Sequence, residues 1–385
     1  MKDPKKYGFR RLMNDLHLWL GVGSALVLFI VCLSGTIYTF RTEIEQWLEP
    51  QKYTLAQTAD SKYEMDELIA FVEGQTGGKV NRVITEVDQT KPYVFGVASK
   101  KEEKKSENYY INPYTKEIIG FGKGPAAPFF TDMMKLHRFL LMESEIGRPI
   151  VGVATLIFIL LSITGLFLWF PKKIKGWKSM KPGFKIKFSG KWKRVNHDLH
   201  NTLGFYTLLV ILVMAVTGLC WSFEWYRAGL SEVLGVKVFG GRDEAKPESN
   251  ELSNGMPLTY SQAVAIANQR FPYEGKTIVS LPKGRKGSFE IQKNEAARFN
   301  ETAFDRVFID QFSGHIIKEE AFNNKAIGDK IASQIKAIHL GEIYGVFSKT
   351  LYFIVCLIAT SLPVTGLFIW LNKMKKKPKK KPIQV

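Results

Sequence analysis

Four of the six histidines in this 385-residue chain stand at matched positions in two similar halves of the sequence. The tripeptide D-L-H ends at His17 in the first half and at His200 in the second. The dipeptides L-H and I-H end at His137 and His339, respectively. Neutral imidazole is a common ligand of transition metals and of haem iron. The repeated spacing therefore predicts two metal-centred sites, each formed by one histidine from each half.

Four long apolar runs supply the elements that would position these histidines. Crossing a bilayer takes about 20 helical residues, and four runs are long enough: 16–40, 147–171, 199–223 and 345–371. The first run is too long for the apolar core of a signal peptide, and no small-x-small cleavage site follows it. We therefore expect four retained transmembrane helices.

The polar segments between the apolar runs, 41–146 and 224–344, have the size of small domains. Each begins with a helical pattern, at 65–75 and at 260–271. Alternating apolar and polar residues follow, separated by turn residues, and this alternation is typical of strands. The expected strands are 79–87, 93–98, 108–111 and 117–120, and then 277–281, 288–293, 303–309 and 315–318. We predict a small α+β unit in each segment, with one helix packed on an antiparallel sheet.

The order helix, polar domain, helix occurs twice, and both copies enter the membrane in the same direction. Such a parallel repeat is expected to have an axis along the membrane normal. The predicted fold class is therefore membrane α-helical, a four-helix bundle with a parallel internal repeat and two extracytoplasmic α+β domains. Equivalent residues then share a depth, so His17 pairs with His200 and His137 pairs with His339.

The net charge of +18 is concentrated in three segments, which are 1–15, 172–198 and 372–385. Residues 171–197 alone contain ten basic residues and no acidic one. By the positive-inside rule these segments are cytoplasmic, and we expect a multi-pass protein of the bacterial cytoplasmic (inner) membrane. The charge then reflects contact with anionic membrane lipids. Nucleic-acid binding is not expected, because no folded domain interleaves basic residues with stacking aromatic residues.

Several motifs together resemble the PepSY-associated transmembrane-helix family over nearly the whole chain. They are the D-L-H starts, the turn N-P-Y-T-K-E at 112–117, the L-H and I-H segments, and the endings T-G-L-F-x-W at 164–169 and 365–370. Characterised relatives include inner-membrane, haem-containing siderophore reductases linked to iron uptake. The resemblance implies PepSY-like outer domains together with haem and iron chemistry. It does not fix the substrate, because one fold serves many functions.

We predict two haem b groups, each held by two axial histidines. His17 and His200 would hold the inner haem, and His137 and His339 the outer one. The chain has no C-x-x-C-H motif, which excludes a covalently attached c-type haem. The glycines one helical turn beyond the inner histidines would let a macrocycle approach the backbone. Four other glycines, each following a Ser or Thr, are expected to pack helices together: Gly35, Gly165, Gly218 and Gly366.

His197 lies three residues before His200 and therefore on the same helical face. Its counterpart in the first half is Asn14, so it has no matching histidine. It is either an axial ligand or a residue beside the haem propionates. Nearby cations would contact propionates or carry ordinary membrane-interface charge: Arg10, Arg11, Lys193 and Arg194 at the inner site, and Arg41, Arg138, Arg148 and Lys349 at the outer one.

The leading functional hypothesis is transmembrane electron transfer by a haem-dependent ferric-siderophore reductase, with no catalytic residue assigned. Electrons would come from a cytoplasmic flavoprotein reductase or a membrane quinol, and the acceptor would be a ferric siderophore or another ferric substrate. One alternative is a membrane-anchored PepSY regulator of extracytoplasmic peptidases. The other is a haem- or iron-uptake accessory protein without redox turnover. The chain has no phosphate loop, zinc-protease helix motif or serine nucleophile elbow that would suggest different chemistry.

Overall fold

The structure is a computed structural model that describes residues 8–98, 106–240, 245–250 and 255–375. The N-terminal segment 1–15 and the tail 372–385 therefore lie partly outside the described residues. Four helices are long and apolar enough to cross a membrane: Phe9–Tyr38, Ser144–Trp169, Trp192–Ser222 and Gly345–Met374. They confirm the four predicted apolar helices. Three of them begin several residues earlier, because the polar residues before the apolar run are helical as well.

The helices along the chain are α1 (Phe9–Tyr38), α2 (Arg41–Leu48), α3 (Pro50–Tyr53), α4 (Met65–Thr76), α5 (Ala127–Phe139), α6 (Ser144–Trp169), α7 (Trp177–Met180), α8 (Trp192–Asp198), α9 (Gly204–Ser222), α10 (Glu224–Leu234), α11 (Tyr260–Arg270), α12 (Ile327–Leu340) and α13 (Gly345–Met374). A π-helical turn, Leu199–Leu203, joins α8 to α9. The third long helix is therefore α8, this turn and α9 in continuous succession.

The four long helices form a closed set of contacts, in which α1 and α9 each pack on both α6 and α13. Two small apolar clusters hold them together: Leu28 with Ala154 and Leu161, and Ile211 with Val355 and Ala359. At one end, Arg10 of α1 donates hydrogen bonds to the carbonyls of Leu168 and Phe170 at the end of α6. We call this end, where the first and last described residues and the basic loop lie, the basic end. The opposite end, from which the chain continues into the strands, is the sheet end.

Two shorter helices, α5 and α12, precede the second and fourth long helices and carry a histidine in their last turn. Helix α5 packs on α1 and α6, and α12 packs on α9. Helix α12 ends at Gly341 with φ 70°, a left-handed conformation that glycine adopts at little cost. Helix α5 ends at Leu140, which takes a similar conformation with φ 55°. These sharp ends let each histidine-bearing helix pack beside the long helix of the preceding segment.

The eight strands are β1 (Lys79–Thr85), β2 (Tyr93–Ala98), β3 (Ser106–Asn112), β4 (Glu117–Phe121), β5 (Gly275–Ser280), β6 (Ser288–Glu295), β7 (Asp305–Asp310) and β8 (Ile316–Glu320). All neighbouring strands are antiparallel, in the order β4-β3-β2-β1-β5-β6-β7-β8. All eight predicted strands and both predicted helices, α4 and α11, are confirmed with shifts of a few residues at their ends.

The two sets of four strands form one sheet and not two separate ones. Strand β1 pairs with β5, and Val83 faces Val279 in the register. Both valines are fully buried in a single core that includes residues from both polar segments. Asp66 of α4 also accepts hydrogen bonds from the backbone N–H groups of Tyr260 and Ser261, which start α11. The sequence analysis treated the segments separately, because nothing in their local patterns shows that two edge strands will pair.

Candidate functional site

The first pair of matched histidines meets near the basic end. His17 lies on α1 and His200 lies in the π-helical turn, with ring centroids 6.2 Å apart and ring planes at 86°. His17 Nδ1 is 2.9 Å from Thr164 Oγ1 on α6. His200 Nδ1 is likewise 2.9 Å from Thr365 Oγ1 on α13. Each imidazole is thus fixed by a threonine of a neighbouring long helix, at equivalent positions in the two halves.

The second pair meets toward the sheet end. The ring centroids of His137 and His339 are 6.3 Å apart, with the ring planes at 57°. His137 Nδ1 is 2.9 Å from the carbonyl oxygen of Val31 on α1. His339 Nδ1 is 2.9 Å from the carbonyl oxygen of Met214 and 3.1 Å from Thr217 Oγ1, both on α9. The structure therefore brings together the same two couples that the sequence pairs by depth.

The hydrogen bonds of the inner pair determine which ring nitrogen carries the proton. Thr164 donates its hydroxyl proton to the carbonyl of Leu160 at 2.8 Å, and Thr365 donates to Ser361 at 3.0 Å. Because each hydroxyl has already donated its one proton to a carbonyl, it can only accept a hydrogen bond from the histidine. Nδ1 therefore bears the hydrogen. A backbone carbonyl can only accept, and the same assignment follows for the outer pair. In all four rings the Nε2 lone pair is therefore left for a ligand.

Each imidazole also rests against a glycine that follows a Ser or Thr on the partner helix. We call these four dipeptides the Ser/Thr-Gly pairs: Ser34-Gly35, Thr164-Gly165, Thr217-Gly218 and Thr365-Gly366. A Cβ atom built on these glycines would lie between 3.0 and 3.2 Å from the Cε1 atom of His137, His17, His339 and His200, respectively. Any larger residue would push the ring away. The sequence analysis expected helix packing at these glycines; the surface that they accommodate is an imidazole.

Burial keeps the outer imidazoles uncharged. It lowers the pKa of His339 to about 4, with a further contribution from the neighbouring His137. Burial also lowers the pKa of His137. Neutral imidazole is the form that binds a metal. Both rings are therefore ready to act as ligands near pH 7.

The spacing of both couples fits a single iron between two rings. An imidazole nitrogen binds a transition metal at about 2 Å, and the ring centroid lies about 1 Å behind it. Two imidazoles on opposite sides of one iron therefore have centroids about 6 Å apart, close to the 6.2 and 6.3 Å observed. Direct contact between two hydrogen-bonded rings would bring them closer. The residues present fit a bis-histidine haem at each site.

A cavity of about 640 Å³ surrounds the inner couple. Its volume lies in the range of small-molecule and cofactor pockets, about 300–1,000 Å³. His17 and His200 line it, and so do the glycines one turn beyond them, Gly21 and Gly204. The nearest atoms that a Cβ on either glycine would meet are leucine methyl groups at 3.6 and 3.8 Å. A methyl group would therefore fit at either position in ordinary contact, and the approach of a macrocycle to these glycines stays a prediction.

His197 lines the same cavity, but its position differs from that of the paired histidines. Its Nδ1 is 3.4 Å from Asp198 Oδ1, and 57% of its side chain is exposed. Among the cations proposed for the inner site, Arg10 and Arg11 line the cavity. Arg194 instead donates to Asp198 Oδ2 at 2.7 Å. His197 therefore lines the cavity without taking part in the facing couple of His17 and His200.

Two of the cations considered for the outer site are held by carboxylates of the chain. Lys349 Nζ lies 2.8 and 3.0 Å from the two carboxylate oxygens of Glu43. Arg41 Nε donates to Glu45 Oε1 at 2.9 Å. Arg138 and Arg148 both contact the ring of Phe139, with guanidinium carbons 4.9 and 5.5 Å from the ring centroid. These cations stabilise the sheet end of the helices through contacts within the protein.

Sequence reasoning missed several neighbours of the histidines. Thr164, Thr217 and Thr365 contact the imidazoles, and Trp221 packs 5.4 Å from His339 between ring centroids. Lys172 and Lys373 line the inner cavity. The sequence does contain a signal for the threonines, because the T-G dipeptide recurs in three long helices. The role of each threonine could not be predicted from the sequence, since the histidine that it contacts is more than 100 residues away along the chain.

One known protein family matches nearly the whole length of this chain. The family described as the PepSY-associated TM region matches residues 15–373, which is nearly the whole chain and includes all four paired histidines. The chain belongs to this PepSY-associated transmembrane family. No curated protein matches it. As a member of the family it is a membrane protein, and its four long apolar helices agree with that assignment.

Within this family member, the paired histidines do not belong to a larger group of metal-binding side chains among the described residues. No group of three or more His, Cys, Asp or Glu side chains that could hold a metal ion is found among residues 8–98, 106–240, 245–250 and 255–375. Two imidazoles alone leave an iron ion with most of its positions unfilled. A porphyrin would supply the remaining four nitrogen ligands.

Proposed function

We propose that this PepSY-associated membrane protein transfers electrons across the cytoplasmic membrane through two haem b groups. His17 and His200 would bind the inner haem through Nε2, and His137 and His339 the outer one. A bound haem supplies reversible one-electron redox chemistry. The single observation that carries the proposal is the repeated couple, with two imidazoles about 6 Å apart and each Nδ1 held by the neighbouring helix.

The depth of the two couples supports transfer from one side of the bilayer toward the other. On α1, His17 is 14 residues before Val31, whose carbonyl holds His137. At 1.5 Å per residue this separation is about 21 Å along the helix. The apolar barrier is about 30 Å thick. Two sites at these depths place one near each face of the barrier, whereas a single site near either face would leave a long gap to the other face.

The direction and the partners of the transfer complete the proposal. The basic end would face the cytoplasm, where a flavoprotein reductase or a membrane quinol donates electrons, and the sheet end would face outward. Each ferric ion of a siderophore would take one electron to become ferrous, a form that siderophores bind far more weakly. This choice of acceptor rests on the resemblance to iron-uptake reductases of the same family. The enzyme class would be a ferric-siderophore reductase.

We also propose that the four long helices form a bundle with a parallel internal repeat, and that the sheet is built from two PepSY-like domains. The equivalent contacts of His17 with Thr164 and of His200 with Thr365 support the repeat. The four strands contributed by each polar segment support the two domains. The pairing of β1 with β5 would then be the interface between them.

The test is the haem content of purified protein and of paired histidine variants. We expect two haems per chain, with a low-spin absorption band that shifts on reduction by dithionite. Replacement of both His137 and His339 by alanine should leave one haem, and so should replacement of both His17 and His200. His315→Ala is the matched control, because His315 is exposed in a turn of the sheet and should leave two haems.

The outcomes also separate the alternative functions. A folded preparation without haem would overturn the proposal and favour a PepSY regulator of extracytoplasmic peptidases. Loss of neither haem in the paired variants would show that the histidines are not ligands. Reduced haem protein that is never reoxidised by ferric siderophores would favour an accessory protein without redox turnover.

A further inference from the structure

The inner cavity is lined by cations without an acidic residue among its lining residues. The basic residues are Arg10, Arg11, Lys172 and Lys373. An uncompensated group of positive charges at a largely apolar cavity is costly unless an anion accompanies it. The cavity is therefore suited to a ligand that combines a large apolar surface with negative charge at the basic end.

Two of these cations are related in the same way as the paired histidines. Lys172 stands eight residues after Thr164, and Lys373 stands eight residues after Thr365. These are the threonines that hold His17 and His200. Both lysines line the same cavity as His17 and His200. The chain thus provides one lysine per half, on the C-terminal side of Thr164-Gly165 and of Thr365-Gly366, and both line the same cavity.

The two arginines that line the cavity have hydrogen-bond or ion-pair partners within the protein, whereas the side chains of the two lysines have none among the described residues. Arg10 donates to the carbonyls of Leu168 and Phe170, and Arg11 lies 3.9 Å from Asp15. In the part of the chain that the structure describes, the side chain of neither Lys172 nor Lys373 forms an ion pair or a hydrogen bond; the backbone carbonyl of Lys373 accepts one from the N–H of Lys375. Their ammonium groups are therefore available to a ligand.

We propose that Lys172 and Lys373 bind the two carboxylates of the ligand held between His17 and His200, one lysine from each half. The inference rests on the proposed function, for which the ligand is haem b with its two propionates. An ammonium group forms charge-assisted hydrogen bonds with a carboxylate, which are stronger than neutral ones. The lysines would thereby orient the macrocycle with its charged edge toward the basic end.

Ordinary interface charge makes a different prediction, because it acts on lipid headgroups and not on the ligand. The experiment uses full-length protein carrying His137→Ala and His339→Ala, so that only the inner site binds. Lys172→Met and Lys373→Met are added together, and the matched control carries Lys173→Met and Lys375→Met, which do not line the cavity. Each protein is titrated with haem b and with haem dimethyl ester, which has no carboxylate, and the dissociation constant is read from the absorption band.

We expect the Lys172/Lys373 double variant to bind haem b at least about tenfold more weakly than the control. The ester should bind equally to both, and arginine at the two positions should restore most of the affinity for haem b. Equal affinity of all variants for haem b, or equal losses for haem and ester, would overturn the assignment. If the parent protein with intact lysines binds no haem at all, the proposed function is wrong, and the assignment of the two lysines is wrong as well.

Discussion

At the scale of single residues, the four Ser/Thr-Gly pairs explain how helices can hold rings at a fixed position. Around His17, the threonine directs the Nδ1 hydrogen and the following glycine sets how closely the ring approaches the helix. The neighbouring N–H of a metal-bound histidine is normally engaged in this way, and the engagement fixes the tautomer and the ring orientation. At both depths a glycine limits the approach of the ring and an oxygen acceptor holds Nδ1, although the acceptor at His137 is the carbonyl of Val31 and not a hydroxyl. Orienting the imidazoles is therefore a constraint on these helices.

The threonine of the inner site can be tested alone. Thr164→Val keeps the shape of the side chain but removes the acceptor of the His17 Nδ1 hydrogen. We expect the inner haem to bind about 10–100-fold more weakly, measured by haem titration of protein that lacks the outer histidines. Thr155→Val is the control, because Thr155 lies on the same helix and its hydroxyl bonds only to the carbonyl of Val151, at 2.8 Å. An equal effect of the two substitutions would contradict a role for the Thr164 hydroxyl.

The glycine against His137 can be tested on its own helix. In Gly35→Ala the new Cβ would lie 3.1 Å from Cε1 and 3.2 Å from Nδ1 of the imidazole. The ring must move, and overpacking of this kind typically costs about 1–3 kcal/mol. We expect weaker binding or altered ligation of the outer haem, seen as loss of low-spin absorbance. Gly23→Ala should have no such effect, because no atom lies within 4 Å of its Cβ position.

At the scale of elements, irregular backbone occurs where the histidines are placed. His200 lies in a π-helical turn, although its counterpart His17 lies in a regular α-helix. Such turns are rare in proteins, and those that occur are often found at functional sites. The extra residue in the turn changes the direction of the side chains. Helices α5 and α12 are followed by the left-handed residues Leu140 and Gly341, three residues after His137 and two residues after His339. Pairing of the rings therefore depends on local breaks in otherwise regular helices.

The joining of the two sets of strands is an element-scale feature with a direct test. Ile84 of β1 and Ile278 of β5 are partners in the register, and directly opposed residues of antiparallel strands have Cα atoms about 4.5–5.5 Å apart. Cysteines at these two positions should therefore form a disulfide. The sheet itself contains no cysteine, since the three native ones lie in the long helices. We expect a mobility shift on non-reducing gels after mild oxidation.

Cysteines at Ile84 and Lys276 provide the register control for this cross-link. Lys276 lies two residues from Ile278 on the same strand, and its ammonium group is paired with Glu86 at 2.8 Å. This couple should remain reduced under the same oxidation. If both couples oxidise equally, the strands are not held in the register described for β1 and β5.

At the scale of the whole molecule, charge and polarity divide the protein into two ends. The basic loop and the described ends of the chain lie at one end of the helices, and the eight-stranded sheet is attached to the other. Lysine and arginine in short loops are retained on the cytoplasmic side during insertion. The two histidine couples lie between these ends, one nearer to each. The asymmetry would give the proposed electron transfer a direction relative to the membrane.

The orientation of the molecule can be measured by thiol labelling in intact cells. With the native cysteines replaced, Lys173→Cys in the basic loop should react with a membrane-impermeant maleimide only after the cells are permeabilised. Gln89→Cys lies exposed in the loop between β1 and β2. It should react while the cytoplasmic membrane is intact, provided that the reagent can cross any outer membrane. The reverse pattern would place the sheet in the cytoplasm and contradict the proposed direction of transfer.

The sequence by itself determined the elements of this protein and the identity of the four paired histidines. Apolar runs of more than 20 residues, alternating strand patterns and matched D-L-H segments are local properties, and local patterns suffice to predict them. Only the tertiary structure decided what each histidine contacts, that β1 joins β5, and that Lys172 and Lys373 line one cavity with His17 and His200. These relations join residues far apart in the chain, and packing energy, which acts on surfaces and not on sequence neighbours, selects them.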